Sequence, residues 1–192
     1  MASCKKNARE RKATIIFLDE SAFSEKSPLR GTWAPRGQTP VVKQKQRSWK
    51  TLTAMGALAY PTKSAAKPGA YLQFQTGAAR SLNLITFLKH IRRHRQGKCI
   101  IVWDNIQTHR GNVMKNWVNT QQSWLQMEFL PPYAPELNPV EGLWSWLDTT
   151  QLANLSDVEF PEVRVRAHTG MRRLRRKKDI AWGLLHKTGL FL

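Results

Sequence analysis

Asp19, Asp104 and Glu141 are the residues whose type and placement could do chemistry. Asp19 follows the apolar run Thr14-Ile15-Ile16-Phe17-Leu18, and Asp104 follows Ile100-Ile101-Val102-Trp103. Alternate side chains of a strand share a face, so Asp19 lies with Ile15 and Phe17, Glu20 points the other way, and Asp104 lies with Ile100 and Val102. Both aspartates are expected where a buried strand gives way to polar loop, the edge at which open α/β sheets bind their ligands. Two carboxylates held close raise each other's pKa unless a cation sits between them. Hard divalent ions, Mg²⁺ or Mn²⁺, suit such oxygen donors. One aspartate after an apolar run could merely open a turn; two, with a third acid, argue for a metal site.

The third acid comes from Pro131-Pro132-Tyr133-Ala134-Pro135-Glu136-Leu137-Asn138-Pro139-Val140-Glu141. Asn138 suits a helix N-cap and Pro139 the first helical position, which puts Glu141 at N3. A capping-box role would account for Glu141 without a metal, although a first-turn glutamate can also face the strand ends. Glu136 is the rival, placed before the helix starts. Three such acids can hold two ions about 3.5–4 Å apart across a scissile phosphate. The nucleophile could be water, giving hydrolysis, or a DNA 3′-hydroxyl, giving strand transfer.

The elements that must position these acids read as strands first, then helices and strands in alternation. Residues 14–18 suit a buried strand. Residues 30–40 are dense in turn formers, and Val41-Val42 begins a second strand running into Lys43, Lys45 and Arg47. Strands at 51–60 and 71–76 flank a Lys67-Pro68-Gly69 turn. Ser81 is expected to cap a helix with Leu82, Ile85, Leu88 and Ile91 on its apolar face. A strand at 100–103, a helix at 112–122, a strand at 126–129 and a helix from Pro139 follow. This order predicts an α/β protein, a mixed central sheet flanked by helices. Residues 1–13 read as a basic, solvated helical lead-in, 14–160 as the catalytic domain, and 161–192 as a basic helical segment packed loosely on it.

The 192 residues suffice for one sizeable core, and 41% hydrophobic and 23% charged residues are ordinary for a globular chain. The charge balance is not. Thirty-one Lys and Arg against 13 Asp and Glu give +18, which favours nucleic acid over anionic lipid. Cys4 and Cys99 are too few for a disulfide framework or a zinc module, which fits a reducing, cytoplasmic setting. No stretch is long and apolar enough to cross a membrane, and the N-terminus lacks a secretory apolar core.

Four segments in order carry a family resemblance: Phe17-Leu18-Asp19-Glu20-Ser21; Trp33-Ala34-Pro35-Arg36-Gly37-Gln38-Thr39-Pro40; Val102-Trp103-Asp104-Asn105 with His109; and the proline-rich segment ending at Glu141. Together they resemble the IS630 transposases of the IS630/Tc1/mariner superfamily, from about residue 8 to the end. The resemblance implies an RNase H-like fold with Asp19 on the first strand, Asp104 on the fourth and Glu141 on the following helix. It implies two Mg²⁺ ions (Mn²⁺ able to substitute), cleavage of double-stranded DNA at transposon ends, and insertion into target DNA, typically at TA. It further implies supporting or DNA-contacting roles for Asn105, His109, Asn138 and Arg36, with Asn138 and Pro139 positioning Glu141. A dimer would bring two ends together on the nucleoid. Two departures stand out. Family members carry helix-turn-helix modules ahead of the catalytic domain, so an upstream reading frame or a truncated remnant is expected. Asp148 stands where a basic residue is usual.

Other signals are weaker. His90 and His94 have the i, i+4 spacing of a zinc pair, but Arg92, Arg93 and Arg95 repel a cation and no glutamate lies between them. That face, with Arg92 and Arg93, and the run Arg172, Arg173, Arg175 and Arg176 suit phosphate contacts. Trp103, Trp144 and Trp146 read as core. The competing readings are a catalytically inactive DNA-binding remnant and an RNase H-like nuclease without strand transfer; a remnant has no reason to keep all three acids.

Overall fold

The computed structural model describes residues 2–25, 28–41, 51–62, 66–105, 109, 111–155 and 159–190. Five strands form one sheet in the order β3-β2-β1-β4-β5: β1 (Thr14–Ser24), β2 (Thr51–Pro61), β3 (Gly69–Thr76), β4 (Cys99–Trp103) and β5 (Leu125–Phe129). The first three are antiparallel neighbours; β4 and β5 run parallel to β1. This is the expected mixed sheet. β4 reads Cys-Ile-Ile-Val-Trp with every residue buried, because helices cover both faces of a parallel strand and leave no side for polar alternation.

The helices divide between the two faces. Ile16, Leu18, Ile101 and Trp103 pack beneath α2 (Ser81–His94) and α3 (Asn112–Asn119). Ile15, Phe17, Ile100 and Val102 point the other way, under α4 (Pro139–Thr150), α5 (Phe160–Arg176) and α6 (Lys178–Lys187). The period of two along β1 and β4 thus sorts successive residues into two cores. No helix among the described residues is long and apolar enough to cross a membrane.

Several local expectations need correction. β1 does not stop at Leu18 but runs on to Ser24, because residues 19–24 still pair with β2. Its pairing with β4 ends at Phe17 and Val102, so Asp19 stands mid-strand beside a gap rather than at a strand end. Val41 is exposed and not in a strand, while Val42, Lys43, Lys45 and Arg47 lie outside the described residues. Arg80, not Ser81, is the N-cap of α2: Asn83 Oδ1 accepts from the Arg80 N–H at 3.1 Å. Leu82 is 69% exposed, since the buried stripe is Leu84, Ile85, Phe87, Leu88 and Ile91, the i, i+3, i+4 pattern rather than a strict three-residue step.

The basic C-terminal segment is anchored, not loosely packed. α5 buries Val163, Ala167, Gly170, Met171 and Leu174, and α6 buries Ala181, Leu184 and Leu185. Tyr60 on β2 donates to the Ala181 carbonyl at 2.9 Å. The N-terminal helix α1 (Ala2–Glu10) is likewise docked, with Cys4 and Ala8 buried in the same core.

Candidate active site

Asp19 reaches the site from the middle of β1, facing α4. It is 9% exposed, and Trp144 of α4 donates its indole N–H to Asp19 Oδ2 at 2.9 Å. The sheet accommodates that indole only because Asp19 pairs with Gly56 on β2. A Cβ on Gly56 would fall 2.4 Å from Trp144 Cη2 and 2.7 Å from Cζ2, well inside contact distance. Phe23 packs edge-on against the same ring, 5.8 Å between centroids. Burial pushes the Asp19 carboxyl up to about 7, opposed by the Trp144 bond and reinforced by the charges of Glu141 and Glu20. A carboxylate so placed gains strongly from a nearby cation.

Asp104 follows the last residue of β4, where the ladder of β4 and β5 ends at Trp103 and Phe129. Its side chain meets His109, which is 1% exposed. His109 Nδ1 lies 2.7 Å from Asp104 Oδ1 and makes its hydrogen bond to the Asp104 main-chain oxygen at 3.1 Å. On the far side, Nε2 is 3.1 Å from Glu20 Oε1. The imidazole stacks flat on Trp103, centroids 4.0 Å apart and planes 6° from parallel. Burial alone would depress the His109 pKa, but the bonds from Asp104 and Glu20 outweigh it and hold it at about 9. Oδ1 of Asp104 is buried, and its close polar contact is the ion pair with His109 Nδ1 at 2.7 Å.

Glu141 enters from the first turn of α4. Asn138 is the N-cap of this helix, its Oδ1 accepting from the Val140 N–H at 3.2 Å, and Pro139 takes N1. Glu141 itself is exposed and lines the same cavity as Asp19 and Asp104. That cavity, about 470 Å³, is walled by Asn105, by Asn138 and by the 130–135 segment. Among the described residues no three acid, His or Cys groups stand close enough to ligate one ion as they are. The donor set nevertheless fits hard divalent cations: three carboxylates around one cavity, one desolvated and one braced through a buried oxygen by His109.

The other expected site residues divide. Asn105 and Asn138 line the cavity, and His109 touches Asp104. Arg36 sits in an exposed turn closed by the Gln38 N–H to the Pro35 carbonyl, away from the cavity lining. None of Arg92, Arg93, Arg172, Arg173, Arg175 and Arg176 lines it either. Arg92 lies 4.7 Å over the Trp124 ring, and Arg175 donates to the Ala70 carbonyl at 2.8 Å; Arg93, Arg172, Arg173 and Arg176 are exposed. Glu136 falls in a short 3₁₀ turn outside the lining. His90 and His94 stack edge to face, and burial and the neighbouring charges of His94, Arg93 and Arg175 lower the His90 pKa, as a cation-repelling face should. Asp148 is half-buried, its pKa raised by burial against the opposing charge of Arg30.

Sequence reasoning missed three residues around the acids: Glu20, Gly56 and the polar role of Trp144. For Glu20, the signal was the parity that sends it to the Trp103 face. For Gly56, it was a glycine inside an otherwise apolar strand, which marks a close approach.

The family model for the DDE superfamily endonucleases matches residues 14–159. No curated protein matches the chain. Among solved structures, the Mos1 transposase paired-end complex with left transposon end matches at 14% identity and a TM-score of 0.68, covering 97% of this chain and 56% of that one. The Mos1 mariner paired-end complex with Mn matches at 18% identity and a TM-score of 0.64, covering 97% and 55%. The Mos1 paired-end complex with Mg matches at 16% and 0.55, covering 98% and 62%. This chain therefore spans little more than half the length of those transposases, and at these identities they share its RNase H-like fold. With the family model covering most of its length, the chain belongs to the DDE endonuclease superfamily.

Proposed function

We propose that this chain is the catalytic core of a transposase of the IS630 type. In this reading Asp19, Asp104 and Glu141 hold two divalent cations, Mg²⁺ or Mn²⁺, and the site cuts DNA strands at transposon ends and joins them to target DNA at TA steps. The observation that carries it is the convergence of three acids on one cavity: from mid-β1, from the end of β4 and from the first turn of α4. Ions bound there would activate the attacking oxygen and stabilise the departing one.

The protein's own groups supply the rest. Trp144 orients Asp19 and favours its ionised form; Asn138 fixes the first turn of α4 and with it Glu141. Asn105 and the 130–135 wall shape the space beside the acids. Arg93, Arg172, Arg173 and Arg176 are exposed cations suited to the DNA backbone, which binds by charge rather than by sequence. Recognition of transposon ends and pairing of two ends fit a helix-turn-helix part, on this or another polypeptide, and a homodimer.

The test is incubation of end-labelled duplexes with the protein and Mg²⁺ or Mn²⁺. Metal-dependent nicking and joining that vanish in Asp104→Asn are expected. Equal cutting by Asp104→Asn would overturn the assignment, and cutting without joining of a pre-processed end would leave a nuclease.

A further inference from the structure

We infer that Glu20 is a positioning residue for Asp104, acting through His109; this rests on the metal-site reading above. The two aspartates are held very differently. Asp19 is locked in the middle of a strand, paired with Gly56, while Asp104 lies past the last paired residue of β4. The sheet does nothing to fix the Asp104 side chain. His109 does, and stacking on Trp103 leaves its ring little freedom. Both ring nitrogens are engaged: Nδ1 with Asp104, Nε2 with Glu20 Oε1 at 3.1 Å.

Glu20 is the chain neighbour of Asp19. The bridge from Glu20 through His109 therefore ties Asp104 to the strand that carries Asp19, and so sets the separation of two carboxylates that must share ions. Hydrogen-bonded partners behind a ligand orient it in this way.

Two other roles are less consistent with the geometry. Glu20 as a ligand in its own right would need to face the cavity, but it lies on the opposite side of β1 from Asp19 and is not in the lining. His109 as a proton carrier to DNA would need a free nitrogen, and both are used in a residue 1% exposed.

The experiment is calorimetric titration of Mn²⁺ into the full chain, with thermal unfolding to verify folding. Glu20→Ala and His109→Ala should each weaken Mn²⁺ binding by about 10–100-fold. The double variant should bind no more weakly than His109→Ala alone, since the two act as one unit. Glu20→Gln keeps an oxygen acceptor for His109 and should bind like the wild type. Should Glu20→Ala not fold, Glu20→Met keeps the side-chain length while removing the acceptor. Additive losses, or a Glu20→Gln as weak as Glu20→Ala, would overturn the bridge. Asp104→Asn is the control. If it leaves Mn²⁺ binding unchanged, the metal reading itself falls and the bridge with it; if it weakens binding while Glu20→Ala does not, only the bridge falls.

Discussion

Adding one methyl group at Gly56 should displace Trp144 and strip Asp19 of its hydrogen bond. The new Cβ would stand 2.4 Å from Cη2, 2.7 Å from Cζ2 and 3.3 Å from Cζ3 of the indole. Carbon atoms rest about 3.5–4 Å apart, so the ring must retreat by roughly 1 Å or more. Leu143 and Leu147 on the same helix are buried, and a packed core yields little. Overpacking of this kind costs about 1–3 kcal/mol. The bond from Trp144 to Asp19 Oδ2, 2.9 Å at present, would stretch beyond use, and a hydrogen bond to a charged group contributes about 1.5–3 kcal/mol. Together these lower stability by about 2.5–6 kcal/mol, or Tm by roughly 5–20 °C for a chain of this size. The assay is thermal unfolding followed by circular dichroism, with Trp144→Phe as second variant. Phenylalanine lacks the outer six-membered-ring atoms that clash, so Gly56→Ala/Trp144→Phe should be markedly more stable than the sum of the two single losses indicates. Additivity, or a Gly56→Ala protein melting with the wild type, would refute the packing argument.

Further outcomes are expected at other positions. The Asp19 carboxyl is raised in the folded protein to about 7 against about 3.9 when unfolded, so the native state binds the extra proton. Metal-free stability should therefore fall as pH rises from about 4 to about 7, by on the order of 4 kcal/mol at most, and Asp19→Asn should flatten that limb in pH-dependent melting curves. His109, raised to about 9, adds stability below about pH 6.5 that is lost as pH climbs through 9, so His109→Ala should flatten the alkaline limb instead. Asn138→Ala should cost about 1 kcal/mol in denaturant unfolding by removing the cap of α4, and a larger share of DNA cleavage than of stability, because Glu141 rides on that first turn. Replacing Arg172, Arg173 or Arg176 with Ala should leave Tm nearly unchanged and reduce the salt slope of DNA binding by about 1 for each lost phosphate contact; Arg175→Ala should instead lower Tm, since its guanidinium ties α5 to β3 through Ala70.

The strands and the cap were legible because their causes are local. Runs such as Ile100 to Trp103 announce a buried strand, and Asn138-Pro139 announces a helix start whatever surrounds it. The convergence of Asp19, Asp104 and Glu141 was legible as far as parity and strand order reach. What lay beyond was set by partners distant in sequence. The extension of β1 to Ser24 depends on pairing with β2, which Asp19-Glu20-Ser21 does not advertise. The grip of α5 on the sheet hangs on five small or apolar residues scattered among arginines, a pattern that reads as solvated until the helix is built. By parity Glu20 is the wrong-facing neighbour of a candidate metal-binding acid; only the position of His109, 89 residues away, brings it a partner.

The most direct test of the metal site is an anomalous difference map from crystals soaked in Mn²⁺. Peaks within coordination distance of Asp19 and Asp104, with Glu141 drawn toward one of them, are the expected result. Mn²⁺ found elsewhere on the surface, with the 470 Å³ cavity showing no peak, would contradict the assignment of these three acids.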